Sequence, residues 1–254
     1  MKINLLPPGF KDDLHDHASI EHNYKNQIIN LFLSNGYKLV KPPLIEYNNL
    51  KNIENNFIIK EKKELKELLV RNDITMQVAR LASSRLSNET RPLKLCYYGE
   101  VVRKNVSIIR PERQFLQVGA ECIGEDSFLA DVEILDLAYK SLNLVGIKNM
   151  SIELSSSEFL DYLIDMNSKK KDHENVKSFL RKKDINNALK FIDFSLNKFA
   201  KNLFSCTGIF NEKKELLKKI AVNDKTKFAS EKLIKIYENF NRKNPNVNIF
   251  LDLT

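Results

Sequence analysis

The sequence is poor in the residues that mark several common classes of protein. It has three cysteines in 254 residues, and Cys96, Cys122 and Cys206 are widely spaced. This spacing matches neither a disulfide framework nor a zinc site, so no metal is expected and a reducing cytoplasm is the simplest location. The seven glycines form no phosphate-binding loop and no nucleophile elbow. Catalysis that depends on those motifs is therefore not expected.

Long apolar runs are missing as well. No stretch of about 18 apolar residues is present, which argues against a transmembrane helix. The residues from Met1 to Gly9 contain no apolar segment of the length found in secretory signals. We therefore predict a cytoplasmic protein that has no membrane partner.

The chain carries a moderate excess of positive charge. Lys and Arg number 41 against 33 Asp and Glu, which gives a formal net charge of +8. Most of the excess is lysine, and asparagine is abundant too, a combination that codon usage in an AT-rich genome can produce. The basic run at 169–171 has no interleaved aromatic residue and is typical of a solvated surface. Nucleic acid is therefore not the expected partner.

Hydrophobic periodicity predicts a mixture of helices and strands in the first part of the chain. Three helices are predicted, at 19–35, 73–86 and 127–144. Four strands are predicted, at 37–40, 93–102, 114–123 and 151–154. Residues 50–68 are rich in Asn and Lys and carry no pattern that places them.

The character of the sequence changes after residue 155. Helical patterns dominate, lysine is dense and Gly208 is the only glycine up to Pro245, after which residues 248–253 have the pattern of a strand. We predict an α+β core over 1–155, an inserted helical subdomain over 156–244 and a return strand of the core over 245–254. We expect the remainder of that core to be missing from the chain.

The predicted strand at 114–123 has two faces of different chemistry. Leu116, Val118, Ala120 and Cys122 share one face, which we predict to be the core face. The other face places Gln117 and Glu121 on either side of Gly119, which has no side chain and leaves room for a small molecule. An amide and a carboxylate can accept hydrogen bonds from an ammonium or an imidazole N–H. A solvated polar strand would explain the same pattern.

Two further groups of residues have both a functional and a structural interpretation. Asp73 lies where it can cap the following helix, with Arg71 just before it, and capping alone would explain Asp73. Arg103, Arg110 and Arg113 lie on or beside the loop between the two long strands. Three guanidinium groups could grip a phosphate or a carboxylate, or could simply be solvated.

These features together resemble the catalytic core of class II aminoacyl-tRNA synthetases, specifically histidyl-tRNA synthetase. The segment from Leu6 to Asp12 resembles the opening of that family. The first helix with Gly36-Tyr37 and Pro42-Pro43 resembles motif 1, the dimer element, and residues 93–124 resemble motif 2. The resemblance covers about residues 5–150. It implies an α+β fold in which helices flank an antiparallel sheet.

Two departures separate the sequence from an active synthetase. Synthetases carry Arg-x-Glu on the first strand of motif 2, where the Glu helps to hold ATP, whereas this chain has Arg103-Lys104-Asn105. Synthetases read Arg-Pro-Glu-Gly-Thr before the next helix, whereas residues 71–75 read Arg-Asn-Asp-Ile-Thr. The run from Asp73 to Arg80 instead resembles the paralogous family that forms the regulatory subunit of ATP phosphoribosyltransferase.

This resemblance implies a subunit that has no catalytic residues and no cofactor of its own. Its expected partner is the short-form catalytic subunit, which joins ATP to phosphoribosyl pyrophosphate in the first step of histidine biosynthesis, under feedback inhibition by histidine. The motif 1 region is expected to form a homodimer. By the same resemblance, Arg103 is the remnant of motif 2, and six residues would line a histidine-like pocket: Arg71, Asp73, Thr75, Arg113, Gln117 and Glu121.

Two alternatives remain open on the sequence. A truncated histidyl-tRNA synthetase would activate histidine with ATP, and a synthetase-like protein could bind tRNA or an amino acid without catalysis.

Overall fold

A computed structural model describes residues 6–48, 55–60 and 67–254. The chain divides into two compact units. The first comprises Met1–Asp126 and Leu137–Gly146, and the second comprises Ser127–Asp136 and Ile147–Thr254. Among the described helices, none combines the length and the apolar character that crossing a lipid bilayer requires.

The first unit is organised around a long β-hairpin. Strands β5 (Leu93–Val102) and β6 (Gln114–Ile123) have the predicted bounds and pair antiparallel along their full length. Strand β1 (Lys38–Leu39) adds to β5 in parallel. Helix α1 (His15–Ser34) begins four residues before the predicted start, because its first turn is polar and gives no periodic signal.

A second small sheet lies in the same unit. Strand β4 (Leu68–Val70) lies between β2 (Ile45–Tyr47) and β3 (Phe57–Ile59), and both pairings are antiparallel. Sequence patterning predicted none of these three strands, because three residues are too few to show alternation. The rest of the unplaced stretch, at 50–54 and 61–66, lies outside the described residues.

Helix α2 (Thr75–Ser83) covers one face of the hairpin. Its Ile74, Val78 and Ala82 form a buried cluster with β5 residues, against which Phe115 and Ile123 pack. The core therefore lies on the face of β6 that carries Gln117 and Glu121. The prediction placed the core on the opposite face, with Leu116, Val118, Ala120 and Cys122. None of these four belongs to this cluster, although they are partly buried, as Gln117 and Glu121 are.

The second unit combines helices with a small mixed sheet. Strand β9 (Asn248–Leu251) pairs in parallel with β7 (Ser151–Leu154) and antiparallel with β8 (Gly208–Ile209). Six α-helices and three short 3-10 helices lie between β7 and β9. The α-helices are α4 (Glu158–Met166), α5 (His173–Arg181), α6 (Ile185–Ala188), α7 (Asn197–Ser205), α8 (Phe210–Lys219) and α9 (Asp224–Lys243). This confirms the helical character predicted for this part of the chain.

The link between the units is helix α3 (Phe128–Leu144), which has nearly the predicted bounds and contributes residues to both. Helices and small sheets together confirm the predicted α+β class. The domain boundaries at 155/156 and 244/245 stay predictions.

Candidate functional site

A chain of hydrogen bonds begins where β4 leads into α2. The Asp73 carboxylate accepts from the backbone N–H of Thr75 at 2.7 Å and from the Gln117 side-chain amide at 3.1 Å. The Gln117 carbonyl oxygen accepts from the backbone N–H of Ile74 at 3.0 Å. Asp73 thus orders the start of α2 through one carboxylate oxygen, although Ile74 occupies the N-cap position. Its other oxygen ties the helix start to β6.

Tyr97 extends this chain to the second carboxylate. Its hydroxyl donates a hydrogen bond to Glu121 Oε1 at 3.1 Å. The Thr75 hydroxyl lies 3.1 Å from the Tyr97 oxygen, and because the Tyr97 proton is directed at Glu121, Thr75 is the donor in that pair. We refer to Asp73, Thr75, Tyr97, Gln117 and Glu121 as the polar network. The structure therefore brings together four of the six predicted pocket residues.

Gly119 makes room for the tyrosine ring. Tyr97 and Gly119 are directly opposite in the β5–β6 ladder, and a Cβ atom on Gly119 would lie 2.4 Å from the Tyr97 hydroxyl oxygen. The space beside Gly119 that we predicted for a small molecule is therefore partly filled by the Tyr97 ring. The glycine is required by a close side-chain approach.

The electrostatics of the network keep Tyr97 protonated. Burial is the main cause that raises the pKa of Tyr97 to about 12; the hydrogen bond with Thr75 opposes this rise, and the Glu121 carboxylate adds to it. The phenol is therefore a hydrogen-bond donor at neutral pH. The network presents two carboxylates, one amide and one phenol, a set suited to an ammonium and an imidazole N–H.

Arg71 is not brought into this network. Its guanidinium donates to the backbone carbonyls of Glu100 at 2.7 Å and Pro42 at 2.9 Å. The side chain is buried, and a Cβ atom on Gly99 would lie 2.0 Å from Arg71 Nη2. In this structure Arg71 joins β5 to the segment before β2.

Arg113 also lies away from the network. Its guanidinium carbon is 5.9 Å from the centre of the Phe57 ring, and its backbone N–H donates to the Gly9 carbonyl at 2.8 Å. The predicted pocket roles of Arg71 and Arg113 stay predictions.

Arg103 and Arg110 line a separate open cleft of about 660 Å³ in the first unit. The Arg103 guanidinium carbon lies 4.9 Å from the centre of the Phe115 ring, and Nε donates to the Asn72 carbonyl at 3.4 Å. We call this region the arginine cleft; its lining includes Lys11, Glu21, Arg103, Asn105, Arg110, Glu112 and Phe115. Partial burial raises the pKa of Glu21, with Glu100 and Asp13 adding to the effect.

Asn105, which by the sequence resemblance stands where synthetases carry a glutamate, lies in the arginine cleft. Its backbone N–H donates to the side chain of Asn55 at 2.7 Å. An amide in place of a carboxylate removes a negative charge from the cleft. Within the described ranges, no three His, Cys, Asp or Glu side chains are grouped closely enough to hold a metal ion.

Sequence reasoning missed two residues that shape the site. Tyr97 links Thr75 to Glu121. The signal for this contact in the sequence was Gly119, the next residue after Gln117 on the same strand face. Gln77 is buried and donates to the Pro43 carbonyl at 2.9 Å, while its own oxygen lies 3.5 Å from Arg71 Nη1. In the sequence, the signal for these Gln77 contacts was a glutamine that lies on the apolar stripe of α2.

Two relatives found by comparison with known sequences carry the same name. The ATP phosphoribosyltransferase regulatory subunit of Clostridium acetobutylicum is 31% identical over 248 residues, which cover 92% of this chain and 61% of the relative. A protein of the same name from Paramagnetospirillum magneticum is 37% identical over 158 residues, which cover 59% of this chain and 42% of the relative. The chain thus spans less than two thirds of the length of either protein.

Solved structures share the fold. An ATP phosphoribosyltransferase regulatory subunit/histidyl-tRNA synthetase from Bacillus halodurans C superposes with a TM-score of 0.85 at 22% identity, covering 99% of this chain and 68% of that chain. A chain of the ATP phosphoribosyl transferase (HisG:HisZ) complex from Thermotoga maritima superposes with a TM-score of 0.68 at 16% identity, covering 92% and 81%. These likenesses confirm the class II synthetase-like fold.

A protein-family model described as histidyl-tRNA synthetase aligns with residues 9–254. This match includes both compact units, with the polar network and the arginine cleft. Because it extends over nearly the whole chain, the protein belongs to the histidyl-tRNA synthetase family.

Proposed function

We propose that this chain is a non-catalytic regulatory subunit of ATP phosphoribosyltransferase. It would assemble with a short-form catalytic subunit and support the first step of histidine biosynthesis. The observation that carries the proposal is the similarity to a relative of that name along 92% of this chain. A biosynthetic role of this kind agrees with a cytoplasmic location, and none of the three cysteines, all within the described residues, forms a disulfide.

The chemistry of the arginine cleft supports a role without ATP activation. Arg103, Arg110 and Lys11 could still attract an anion, but Asn105 cannot supply the carboxylate that synthetases use there. An amide also lacks the charge needed to help hold a metal–nucleotide complex. The proposal accordingly needs no cofactor bound to this chain.

The polar network supports histidine as the regulatory ligand. Glu121 and Gln117 match the synthetase residues that hold the histidine side chain and amine. Asp73 adds a second carboxylate, and its bond to the Gln117 amide fixes the orientation of that side chain. Histidine binding would then alter the activity of the catalytic subunit through a coupling free energy of about 1–3 kcal/mol.

The motif 1 region is the proposed homodimer surface. Four apolar side chains in this part of the chain are 43% to 49% exposed, an exposure that suits a protein interface: Leu39, Leu44, Ile45 and Tyr47. A second copy of the chain would cover them.

Co-expression with a short-form catalytic subunit tests the proposal. We expect the two chains to co-purify and phosphoribosyl-ATP formation to rise when this chain is present. Added histidine should lower that activity. Failure of the chains to associate, together with no change in activity, would refute the proposed function.

A truncated histidyl-tRNA synthetase is the second candidate, favoured by the description of the matching family model. It predicts histidine-dependent exchange of pyrophosphate into ATP by the isolated chain. Because Asn105 replaces the ATP-binding glutamate, we expect no exchange. Measurable exchange would favour the synthetase.

A further inference from the structure

The positive charge of the chain is concentrated in one segment of the second unit. Residues 167–201 contain ten Lys and Arg against four Asp and Glu, so this segment carries a charge of +6 out of the total of +8. Nine of the ten cations are exposed: Lys169, Lys170, Lys171, Arg181, Lys182, Lys183, Lys190, Lys198 and Lys201. Such clustering creates a local positive field that a balanced surface would not have.

Internal contacts occupy three of the four acidic side chains in this segment. Glu174 accepts from the Lys177 ammonium at 3.2 Å. Asp184 caps α6 by accepting from the backbone N–H of Asn187 at 3.1 Å. Asp193 accepts from the backbone N–H of Ser168 at 2.6 Å and from its hydroxyl at 3.0 Å. These carboxylates make contacts within the fold. Of the exposed lysines in the segment, Lys183 is paired with Asp252, which lies outside the segment.

Phe194 protrudes from the same segment with 90% of its surface exposed. The backbone just before it is braced, because the Asn167 side chain bonds both the Phe191 carbonyl at 3.0 Å and the Asp193 N–H at 3.1 Å. The Lys169 ammonium donates to the Ile192 carbonyl at 3.3 Å. A large apolar side chain on a preordered backbone loses little conformational freedom on binding.

Lys190 precedes Phe194 by four residues and Lys198 follows it by four, at the start of α7. We call Lys190, Phe194 and Lys198 the Phe194 surface. An exposed aromatic side chain with exposed cations four residues to either side of it in the sequence has the composition of a protein-binding hot spot with a charged rim. We propose that the Phe194 surface binds an acidic segment of a partner protein, with an apolar side chain of that segment covering the Phe194 ring.

The composition of the segment favours a protein partner over a nucleic acid. Nine of the ten cations are lysine, whereas bidentate recognition of phosphate favours arginine. Binding of single-stranded nucleic acid uses successive aromatic side chains as stacking platforms. Phe194 is the one aromatic residue classed as exposed between 167 and 201, a range that the structure describes throughout.

Fluorescence anisotropy with the full chain tests this inference independently of the proposed function. The probe is a fluorescein-labelled peptide of glutamates with a central Leu-Leu pair, compared with the same peptide carrying Gly-Gly. A fluorescein-labelled single-stranded RNA of similar length is the nucleic-acid arm. We expect saturable, salt-sensitive binding of the Leu-Leu peptide that is tighter than binding of the Gly-Gly peptide or the RNA.

Two variants and two matched controls locate the binding. Phe194→Ala should weaken peptide binding about tenfold, and Lys190→Gln with Lys198→Gln should weaken it about fivefold and reduce its salt dependence. Phe228→Ala, which changes a phenylalanine that is 59% exposed on α9, and Lys225→Gln with Lys227→Gln should change it less than about twofold. No binding of the peptide, equal binding by Phe194→Ala, or preferential binding of the RNA would overturn the inference.

Discussion

The polar network and the arginine cleft lie in the same compact unit, but their side chains are held in different ways. In the network, Asp73, Gln117 and Glu121 are fixed by hydrogen bonds to each other, to Tyr97 or to the start of α2. In the cleft, Arg110 is exposed, and no bond from its side chain is among the described contacts. The polar network is thus preordered, whereas the arginine cleft is open and carries an amide at Asn105. This difference fits the ligand-sensing subunit without ATP chemistry that we propose.

Removing the charge of Glu121 should have the largest effect on ligand binding. Glu121→Gln keeps an oxygen that can accept from Tyr97, so the fold should persist, but it removes the partner for a cationic group of histidine. We expect histidine affinity to fall about 100-fold, measured by calorimetry. Glu112→Gln in the arginine cleft is the matched control and should leave the affinity unchanged. Equal losses in both variants would remove the distinction between the two regions.

The second-largest effect is expected when the space above Gly119 is filled, which should destabilise the polar network. Gly119→Ala places a Cβ atom against the Tyr97 ring and should cost about 2 kcal/mol in the free energy of unfolding, measured with urea. The same change combined with Tyr97→Leu should cost less than the two single changes together, because the clash is gone. Additive costs would show that the ring is not held in place.

Tyr97→Phe should have a smaller effect that depends on pH. It removes the hydrogen bonds to Thr75 and Glu121 and should cost about 1 kcal/mol at neutral pH. In the wild type, the folded pKa of Tyr97 is raised to about 12, so unfolding releases a proton once the pH passes the ordinary tyrosine value. Stability should therefore fall by about 1 kcal/mol more in the wild type than in Tyr97→Phe between about pH 9 and 11. Tyr24→Phe on α1 is the control, and parallel pH curves for wild type and Tyr97→Phe would contradict the assignment.

The smallest effect is expected in the arginine cleft. Arg110→Gln removes an exposed cation and should change the free energy of unfolding by less than about 0.5 kcal/mol. It should also leave histidine affinity unchanged. A loss of stability comparable to that of Gly119→Ala would mean that the cleft is as constrained as the network.

The sequence predicted the hairpin well and the contacts across it less well. Ten-residue alternation placed both ends of β5 and β6 and put Gln117 and Glu121 on one face. It could not reveal that α2 covers the face with Gln117 and Glu121, because that face is the more polar of the two. The position of Tyr97 between Thr75 and Glu121 depends on the register of β5 against β6, which is a long-range property.

Arg71 shows the same limit for a charged residue. A resemblance predicts which positions line a pocket, but the direction of the guanidinium depends on the carbonyls of Pro42 and Glu100 and on the absence of a side chain at Gly99. The three-residue strands β2, β3 and β4 also had too little sequence pattern to be predicted.

We predict that this chain keeps the amino-acid site and has lost ATP activation. Calorimetric titration of histidine into the isolated chain, without nucleotide, tests this most directly. We predict saturable binding that is unchanged when ATP and magnesium are added. No histidine binding, or binding that requires ATP, would contradict the account.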